Sequence, residues 1–327
     1  MSLILGIELC EDVRPPTYLS FFTASSSILI TFVAFVGNSL VVIAVIWNPY
    51  KDLRKPFYYF VMNLSIADLL VGLILGPLST MCHFLEGLEL KLPGEIGTLI
   101  RVVFFILCTA SLLSLTALAL ERYLTIIHPQ SYQTRLHPAR AFLLVSVVVW
   151  ITSFLLSMIF FISGYNRYRF IFANTTVAVI IATLIFTNAK ILKYLQHQMQ
   201  QWDDLHKSTE ENMIMRQLIM WEKKMTNTLV IVILLFLAFY PPSCIFIYIF
   251  NFCTECDCLF INWIRDIQWL LVMATSAVNP FVYPWRLENF RRSFRRIVKC
   301  PRGEYSLIWA WYICAVPKGR FLQPFWS

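Results

Sequence analysis

Polar residues interrupt the long apolar stretches of this chain at a few places, and they limit the chemistry that it can perform. Asp68 lies within NLSIADLLVG, Glu121 and Arg122 lie within LALERYLTIIHP, and Asn279 begins the segment NPFVY. Polar side chains at membrane depth are expensive and usually have a function. A nucleophile, a base and an orienting group converge nowhere in the sequence, so no enzyme is predicted. The pattern favours binding rather than catalysis.

The composition indicates a membrane protein. Of the 327 residues, 58% are hydrophobic and 14% are charged, whereas a soluble domain carries about 25% charged residues. The net charge of +8 raises a nucleic-acid partner as an alternative. The basic residues cluster beside the apolar stretches, however, and contact with an anionic membrane leaflet explains them better. No nucleic-acid partner is therefore predicted.

Seven apolar stretches are long enough to cross a bilayer as helices. They lack the alternation of strands, so the predicted fold is an all-α membrane protein, a seven-transmembrane helix bundle. The stretches cover residues 18–47, 57–85, 96–127, 141–162, 170–192, 225–250 and 261–285.

The distribution of basic residues predicts the orientation of the chain. Six of the 27 Lys and Arg residues lie on one side of the predicted spans, and the other 21 lie on the opposite side. The positive-inside rule therefore places the N-terminus outside and the C-terminus in the cytoplasm. The predicted parts are an extracellular N-terminus (1–17), a seven-transmembrane domain (18–285), an amphipathic helix (286–299) and a cytoplasmic tail (300–327).

The segment after the last span predicts a short amphipathic eighth helix on the membrane surface. Its apolar and basic residues fall on opposite helical faces. The apolar face holds Leu287, Phe290, Phe294, Ile297 and Val298, and the basic face holds Arg291, Arg292, Arg295 and Arg296. Cys300 follows this helix and is a candidate for palmitoylation, with an unmodified thiol as the alternative.

Three cysteines, Cys253, Cys256 and Cys258, crowd into the stretch FCTECDC. A metal site and an extracellular disulfide cluster are the two competing interpretations. A zinc site would need a fourth ligand and usually a second ligand pair at a defined spacing, and the sequence has neither. The predicted location outside the cell is oxidising and favours disulfides.

Five motifs in order resemble those of the rhodopsin-like, class A G-protein-coupled receptors. They are GN ending at Asn38, LSIAD ending at Asp68, ERY at 121–123, the single Trp150 of the fourth span, and NPFVY followed by the amphipathic helix. The resemblance is nearest to the melanocortin, adenosine and cannabinoid-like group. It implies a plasma-membrane receptor that binds an unidentified extracellular small molecule, lipid or peptide and activates heterotrimeric G proteins.

The resemblance also implies a switch at the cytoplasmic face. Arg122 would pair with Glu121 and Glu222, which would hold helices three and six together and close the G-protein cavity. The alternative for Glu222 is a solvated charge at a helix end. The residues that the resemblance assigns to coupling and switching are Glu121, Arg122, Tyr123, Glu222, Tyr240, Pro242, Asn279, Pro280 and Tyr283.

Similar receptors place a sodium ion beside the acid that corresponds to Asp68. Ser111, Ser276 and Asn279 fall where members of the family supply its other oxygen ligands. A protonated or water-bridged Asp68 is the alternative. The resemblance implies no other cofactor.

The usual cysteine at the outer end of the third span is replaced here by Gly97, and the expected second outer loop, GYNRYRF, has none. Melanocortin receptors instead use cysteines in the third outer loop and the N-terminus. The resemblance therefore makes Cys10, Cys253, Cys256 and Cys258 the disulfide candidates. Four cysteines allow three connectivities, and the sequence does not choose among them.

The switch residues also depart from the family pattern. Tyr240 stands before the two prolines of the sixth span in place of the usual tryptophan, and Ile180 and Asn188 replace the proline and tyrosine of the fifth span. An atypical receptor that binds ligand but couples weakly or not at all is therefore the alternative function. A transporter or channel is disfavoured because Asp68 alone supplies a charge near the midplane.

The implied ligand pocket lies between the outer halves of helices three, five, six and seven. Phe104 replaces the aspartate of amine receptors, and Ile247 and Met273 replace the asparagine and histidine of adenosine receptors. Arg101, one turn above Phe104, is a candidate partner for a ligand carboxylate or phosphate. An arginine that extends to lipid headgroups is the alternative. The candidate pocket residues are Arg101, Phe104, Tyr240, Ile247 and Met273.

Overall fold

Eight helices make up most of the computed structural model, which describes residues 13–90, 94–127, 138–205, 210–253 and 255–298. The helices are α1 (Thr17–Trp47), α2 (Pro56–Gly87), α3 (Gly94–Ile127), α4 (Pro138–Ser163), α5 (Tyr165–Phe172, Ala173–Val177 and Ala178–Leu205), α6 (Glu210–Phe252), α7 (Cys258–Arg286) and α8 (Glu288–Ile297). The described residues contain no strand. The prediction of an all-α bundle is therefore confirmed.

Six of these helices, α1 to α6, are long and apolar enough to cross a membrane. The predicted seventh span falls on α7, which has 29 residues. Its polar residues Asn262, Arg265 and Asp266 are buried inside the bundle, and α7 packs against both α1 and α6. Packing rather than apolarity therefore identifies α7 as the seventh member of the bundle.

Polar side chains link the helices across the interior. Asn38 of α1 donates hydrogen bonds from Nδ2 to the carbonyl oxygen of Ser276 in α7, at 2.9 Å. Trp150 of α4 donates from Nε1 to Oδ1 of Asn63 in α2 at 3.3 Å, and Asn63 donates from Nδ2 to Oγ of Ser114 in α3 at 2.8 Å. Each of these side chains satisfies a polar group that would otherwise be buried without a partner.

α1 and α2 approach each other closely at Gly72 and Gly76 of α2. A Cβ atom at Gly72 would lie 2.8 Å from the backbone nitrogen of Phe35, and one at Gly76 would collide with the side chain of Thr31. The approach coincides with a π-helical turn at Val71–Leu75. Small residues allow such close approach of membrane helices, so α1 is held against the part of α2 that follows Asp68.

A single residue, Gly164, connects α4 to α5. Its φ of 77° lies in the left-handed region that glycine adopts without steric cost. The expected outer loop GYNRYRF is instead helical from Tyr165, so the fifth span begins there rather than at residue 170. The rings of Tyr168 and Phe172 pack on Phe105 of α3, with centroids 4.5 and 5.5 Å apart. This buried face stabilises the helical extension.

α8 is the predicted amphipathic helix, and it docks on the bundle. Phe290 and Phe294 are fully buried. The Phe290 ring packs against Tyr58 of α2 and Tyr283 of α7, with centroids 5.5 and 5.7 Å apart. The exposed Arg292 lies 3.6 Å from Asp52. The apolar face of α8 therefore fixes the end of α7 beside α2.

Candidate functional site

An arginine of α3 lies between two carboxylates at one end of the bundle, here called the Arg122 end. Arg122 donates from Nε and Nη2 to the two carboxylate oxygens of Glu121, at 2.6 and 2.7 Å. It also donates from Nη1 to Oε2 of Glu222 at 3.0 Å. Its side chain is 2% exposed and that of Glu222 is 28% exposed. Because α6 begins at Glu210, Glu222 lies well inside that helix, and the pair joins α6 to α3.

Aromatic rings support this ion pair. The Arg122 guanidinium lies 5.1 Å from the centroid of the Phe57 ring, and Lys55 Nζ lies 3.2 Å from the centroid of the Trp221 ring, next to Glu222. Tyr123 packs against a cluster that includes Ile191 and Leu195 of α5. The residues around Arg122 therefore come from α2, α3, α5 and α6.

Asp68 lies at the centre of a buried polar cluster and is 0% exposed. Its Oδ1 accepts hydrogen bonds from Ser111 Oγ at 3.3 Å and from Ser276 Oγ at 2.8 Å. Its Oδ2 accepts one from Asn279 Nδ2 at 2.8 Å. The structure thus brings together all four residues that the sequence suggested as sodium ligands, from α2, α3 and α7.

The remaining residues of NPFVY lie at the Arg122 side of Asp68. Pro280 and Tyr283 are buried within α7, and Pro242 is partly buried within α6. The Tyr283 hydroxyl has no hydrogen-bond partner among the described residues, while its ring packs on Phe290 of α8. Tyr283 is therefore held by apolar contacts, with its hydroxyl free to accept or donate a new hydrogen bond.

Tyr240 borders two separate cavities. One is small and is also lined by Ser111 and Asn279 of the Asp68 cluster. The other, here called the main cavity, lies toward the opposite end of the bundle and is narrow, with a volume of about 30 Å³. The Tyr240 hydroxyl shares a hydrogen bond with the Cys108 thiol of α3, and its ring packs on Phe236 with centroids 4.3 Å apart. Tyr240 is thus part of the wall between the two cavities.

The main cavity is formed by α3, α5, α6 and α7, as the implied ligand pocket requires. Rings dominate its wall, and the Phe104 and Trp269 rings are stacked with centroids 5.1 Å apart. Three of the candidate pocket residues, Phe104, Tyr240 and Ile247, line it. The full lining is Phe104, Phe105, Cys108, Tyr165, Arg169, Phe172, Ala173, Val177, Tyr240, Ser243, Cys244, Ile247, Gln268, Trp269 and Val272.

The cation of the main cavity is Arg169 rather than Arg101. Arg101 is not among the lining residues; its guanidinium lies over the Tyr165 ring at 5.0 Å, and its Nη2 is 3.5 Å from Thr98 Oγ1. Met273 is also outside the lining, because it is buried in the cluster that contains Trp269. Arg101 and Met273 therefore do not line this cavity, and their contact with a ligand stays a prediction, whereas Arg169 of the helical extension after Gly164 does line it.

Sequence reasoning missed Arg169 and its surroundings. Within GYNRYRF, helical spacing places Tyr165, Tyr168, Arg169 and Phe172 on one face, and this is the signal that could have revealed them. Treating the segment as a loop concealed it. Gln268 and Trp269, which follow Arg265 in α7, were likewise overlooked.

A second buried ion cluster, here called the Arg265 cluster, joins α1, α2 and α7. Arg265 is 0% exposed and donates to Glu86 at 3.0 and 3.1 Å and to Asp266 at 2.6 Å. Asp266 also accepts from Thr23 Oγ1 at 2.8 Å, and Glu86 accepts from Ser20 Oγ at 3.2 Å. Arg265 lies within the predicted seventh span, and the structure buries it among carboxylates from two helices.

The cysteine cluster after α6 contains a disulfide between Cys253 and Cys256. Cys258 is disulfide-bonded as well. The predicted disulfide cluster is thus present, and no group of three or more metal-binding side chains occurs among the described residues. Two candidates, Cys10 and Cys300, lie outside those residues.

Comparison with known proteins agrees with this architecture. The sequence pattern described as "7 transmembrane receptor (rhodopsin family)" matches residues 37–169. The chain is 25% identical over 312 residues to sphingosine 1-phosphate receptor 1 of Danio rerio, covering 88% of this chain and 78% of that one. It is also 25% identical over 294 residues to melanocortin receptor 4 of Danio rerio, covering 86% of each.

Proposed function

We propose that this chain is a seven-transmembrane receptor of the rhodopsin-like family, which binds an extracellular ligand in the main cavity and activates a heterotrimeric G protein at the Arg122 end. In this proposal the Arg122 end faces the cytoplasm and the main cavity opens toward the outside of the plasma membrane. The excess of basic residues on the Arg122 side supports this orientation. The two relatives are named for different ligands, sphingosine 1-phosphate and melanocortin, so their names do not single out one ligand class.

The observation that carries the proposal is the Arg122–Glu222 ion pair. It is an ion pair that joins the Arg122 ends of α3 and α6, and in this proposal a partner protein enters between these helices only after the pair opens. The pair is less exposed than a surface pair, because Arg122 is 2% and Glu222 28% exposed. The free energy by which this ion pair stabilises the closed arrangement therefore lies between the values for exposed and fully buried pairs, at about 1 to 2 kcal/mol.

Tyr240 supplies the connection between ligand and switch. A ligand in the main cavity would touch the Tyr240 ring, and Tyr240 immediately precedes the prolines that interrupt α6. A proline inside a helix removes a backbone hydrogen bond and makes a bend easier. A shift of Tyr240 is therefore expected to change the bend of α6 and, twenty residues away, the position of Glu222.

Replacing Glu222 with glutamine is expected to raise ligand-independent signalling. The substitution keeps the size of the side chain but removes the charge that holds Arg122. A loss of about 1 to 2 kcal/mol would shift the closed-to-open equilibrium by about five- to thirtyfold. The measurement is GTPγS binding to G proteins in membranes that contain equal amounts of wild-type and variant receptor.

Glu89→Gln is the matched control, because Glu89 pairs with Arg14 at the same 3.0 Å but is exposed. It should leave basal signalling unchanged. If Glu222→Gln gave no rise with any G-protein class, the pair would not be a closing contact and the atypical, weakly coupled receptor would be favoured.

The Asp68 cluster is the proposed site of a sodium ion. Its carboxylate and two serine hydroxyls supply the oxygen atoms that a hard cation prefers, and a cation would compensate a charge that is fully buried. Such an ion would stabilise the arrangement of α2, α3 and α7 around Asp68. Sodium chloride should therefore raise the unfolding temperature of the purified receptor more than choline chloride does, and Asp68→Asn should remove the difference. Equal effects of the two salts on the wild type would exclude the site.

A further inference from the structure

The main cavity contains a buried cation that has no counter-ion among the described residues. Arg169 is 4% exposed and lines the cavity. Its Nε and Nη1 have no hydrogen-bond partner among the described residues, and its guanidinium donates a hydrogen bond to the Tyr165 hydroxyl. The lining residues include no aspartate or glutamate.

Two aromatic rings flank the guanidinium but do not replace an anion. Its central carbon lies 5.1 Å from the centroid of the Tyr165 ring and 4.7 Å from that of Phe250. Contacts of this kind stabilise a cation, but they leave the N–H donors without acceptors. A buried charge that lacks a partner charge and leaves two of its nitrogens without acceptors is costly. The cluster around Arg169 is therefore arranged for an acceptor that comes from outside the chain.

The rest of the cavity suits an apolar group. Beyond Arg169, the wall is mostly aromatic and aliphatic, and the stacked Phe104 and Trp269 rings present a flat surface. Gln268 Oε1 and Trp269 Nε1 have no partner among the described residues and lie in the same wall. A pocket with an apolar lining and a few polar groups that fix orientation is typical of small-molecule sites.

We propose that the ligand of the main cavity is a small amphiphilic anion, whose carboxylate or phosphate binds Arg169 and whose apolar body lies against Phe104 and Trp269. This inference rests on the proposed receptor function, which it narrows to one ligand class. The shared chemistry is an oxyanion that accepts from the two free guanidinium nitrogens. Charge-assisted hydrogen bonds of this kind are stronger than neutral ones.

The test measures binding of four probes with one apolar body to purified full-length receptor. The probes are phenylbutyrate, phenylbutyl phosphate, phenylbutanol and phenylbutylamine, and thermal shift and saturation-transfer NMR report their binding. The two anions should bind the wild type about ten- to a hundredfold more tightly than the alcohol, and the amine should bind most weakly. The ratio between phenylbutyrate and phenylbutyl phosphate tells which oxyanion the site prefers.

Arg169→Gln should abolish the preference for anions, while Arg169→Lys should retain part of it. Arg167→Gln is the matched control, because Arg167 lies on the same helix but is exposed and does not line the cavity; it should keep the preference. The proposal is overturned if neither anion binds, if the alcohol binds as tightly, if the preference survives Arg169→Gln, or if Arg167→Gln removes it equally. Because no G protein is present, failure of coupling cannot produce any of these results.

Discussion

Replacing Arg265 with methionine is expected to abolish delivery of the protein to the cell surface. Arg265 is fully buried, and its removal takes away the guanidinium that pairs with the carboxylates of both Glu86 and Asp266. Breaking a buried ion pair from one side costs about 3–5 kcal/mol, which is a large part of the stability of a typical domain. Methionine keeps the apolar part of the side chain, so the fall in surface level and stability reports the effect of removing the charge. Surface labelling of cells and thermal unfolding of the purified protein are the two measurements.

Arg14→Met provides the comparison. Arg14 pairs with Glu89 at 3.0 Å, the same distance as Arg265 and Glu86, but the two side chains are 58% and 62% exposed. An exposed pair contributes about 0–1 kcal/mol, so this variant should behave as the wild type does. The double variant Glu86→Gln with Arg265→Met should recover part of the loss, because one unpaired charge is gone. A normal surface level for Arg265→Met alone would show that the Arg265 cluster is dispensable.

Replacing Arg122 with alanine is expected to eliminate G-protein activation, with or without ligand. The substitution opens the same ion pair as Glu222→Gln, yet the two results should have opposite signs. Glu222→Gln frees α6 and leaves the Arg122 cation available to an incoming partner. Arg122→Ala also frees α6 but removes that cation. If the pair were purely structural, both variants would change signalling in the same direction.

Nucleotide exchange on purified G proteins measures this effect. The rate with Arg122→Ala should fall to that of G protein alone, at least about fivefold below the Glu222→Gln rate, which follows from the equilibrium shift expected for the ion pair. Arg122→Gln should give the same loss while keeping hydrogen bonds to Glu121, which separates loss of the cation from local unfolding. Exchange at the wild-type rate with both Arg122 variants would contradict the role proposed for this arginine.

The spans and the motif residues could be predicted because their signals are local. Apolar runs of about twenty residues define six of the helices, and the alternation of Phe290, Phe294 and arginines defines α8. The Asp68 cluster and the Arg122 pair were anticipated because motif residues keep fixed places on their helices. In both cases the structure brings the named side chains within hydrogen-bond distance.

The partners of the arginines at the end of the bundle opposite Arg122 could not be predicted from the sequence. The sequence states that Arg101, Arg169 and Arg265 are basic, but their surroundings depend on residues from other helices. Arg265 pairs with Glu86, which lies 179 residues away in the chain. Arg169 required a helix to begin directly after Gly164, and that depended on packing of the following rings against α3. Such long-range contacts leave no local periodic signal.

The one-residue connection at Gly164 fixes the start of α5, so a tilt of α5 displaces its far end more than its near end. One residue spans at most about 3.8 Å between successive Cα atoms, so the start of α5 cannot slide away from the end of α4 and can only tilt about this point. At 1.5 Å per residue along a helix, Arg169 lies about 8 Å from Gly164, and Leu205 lies about 60 Å from it. A π-helical turn at Ala173–Val177 lies between Arg169 and Leu205. If this turn does not bend, a displacement of half an ångström at Arg169 corresponds to about 4 Å at Leu205. In the proposed receptor, a small contraction around a bound anion would therefore become a larger displacement at the far end of α5.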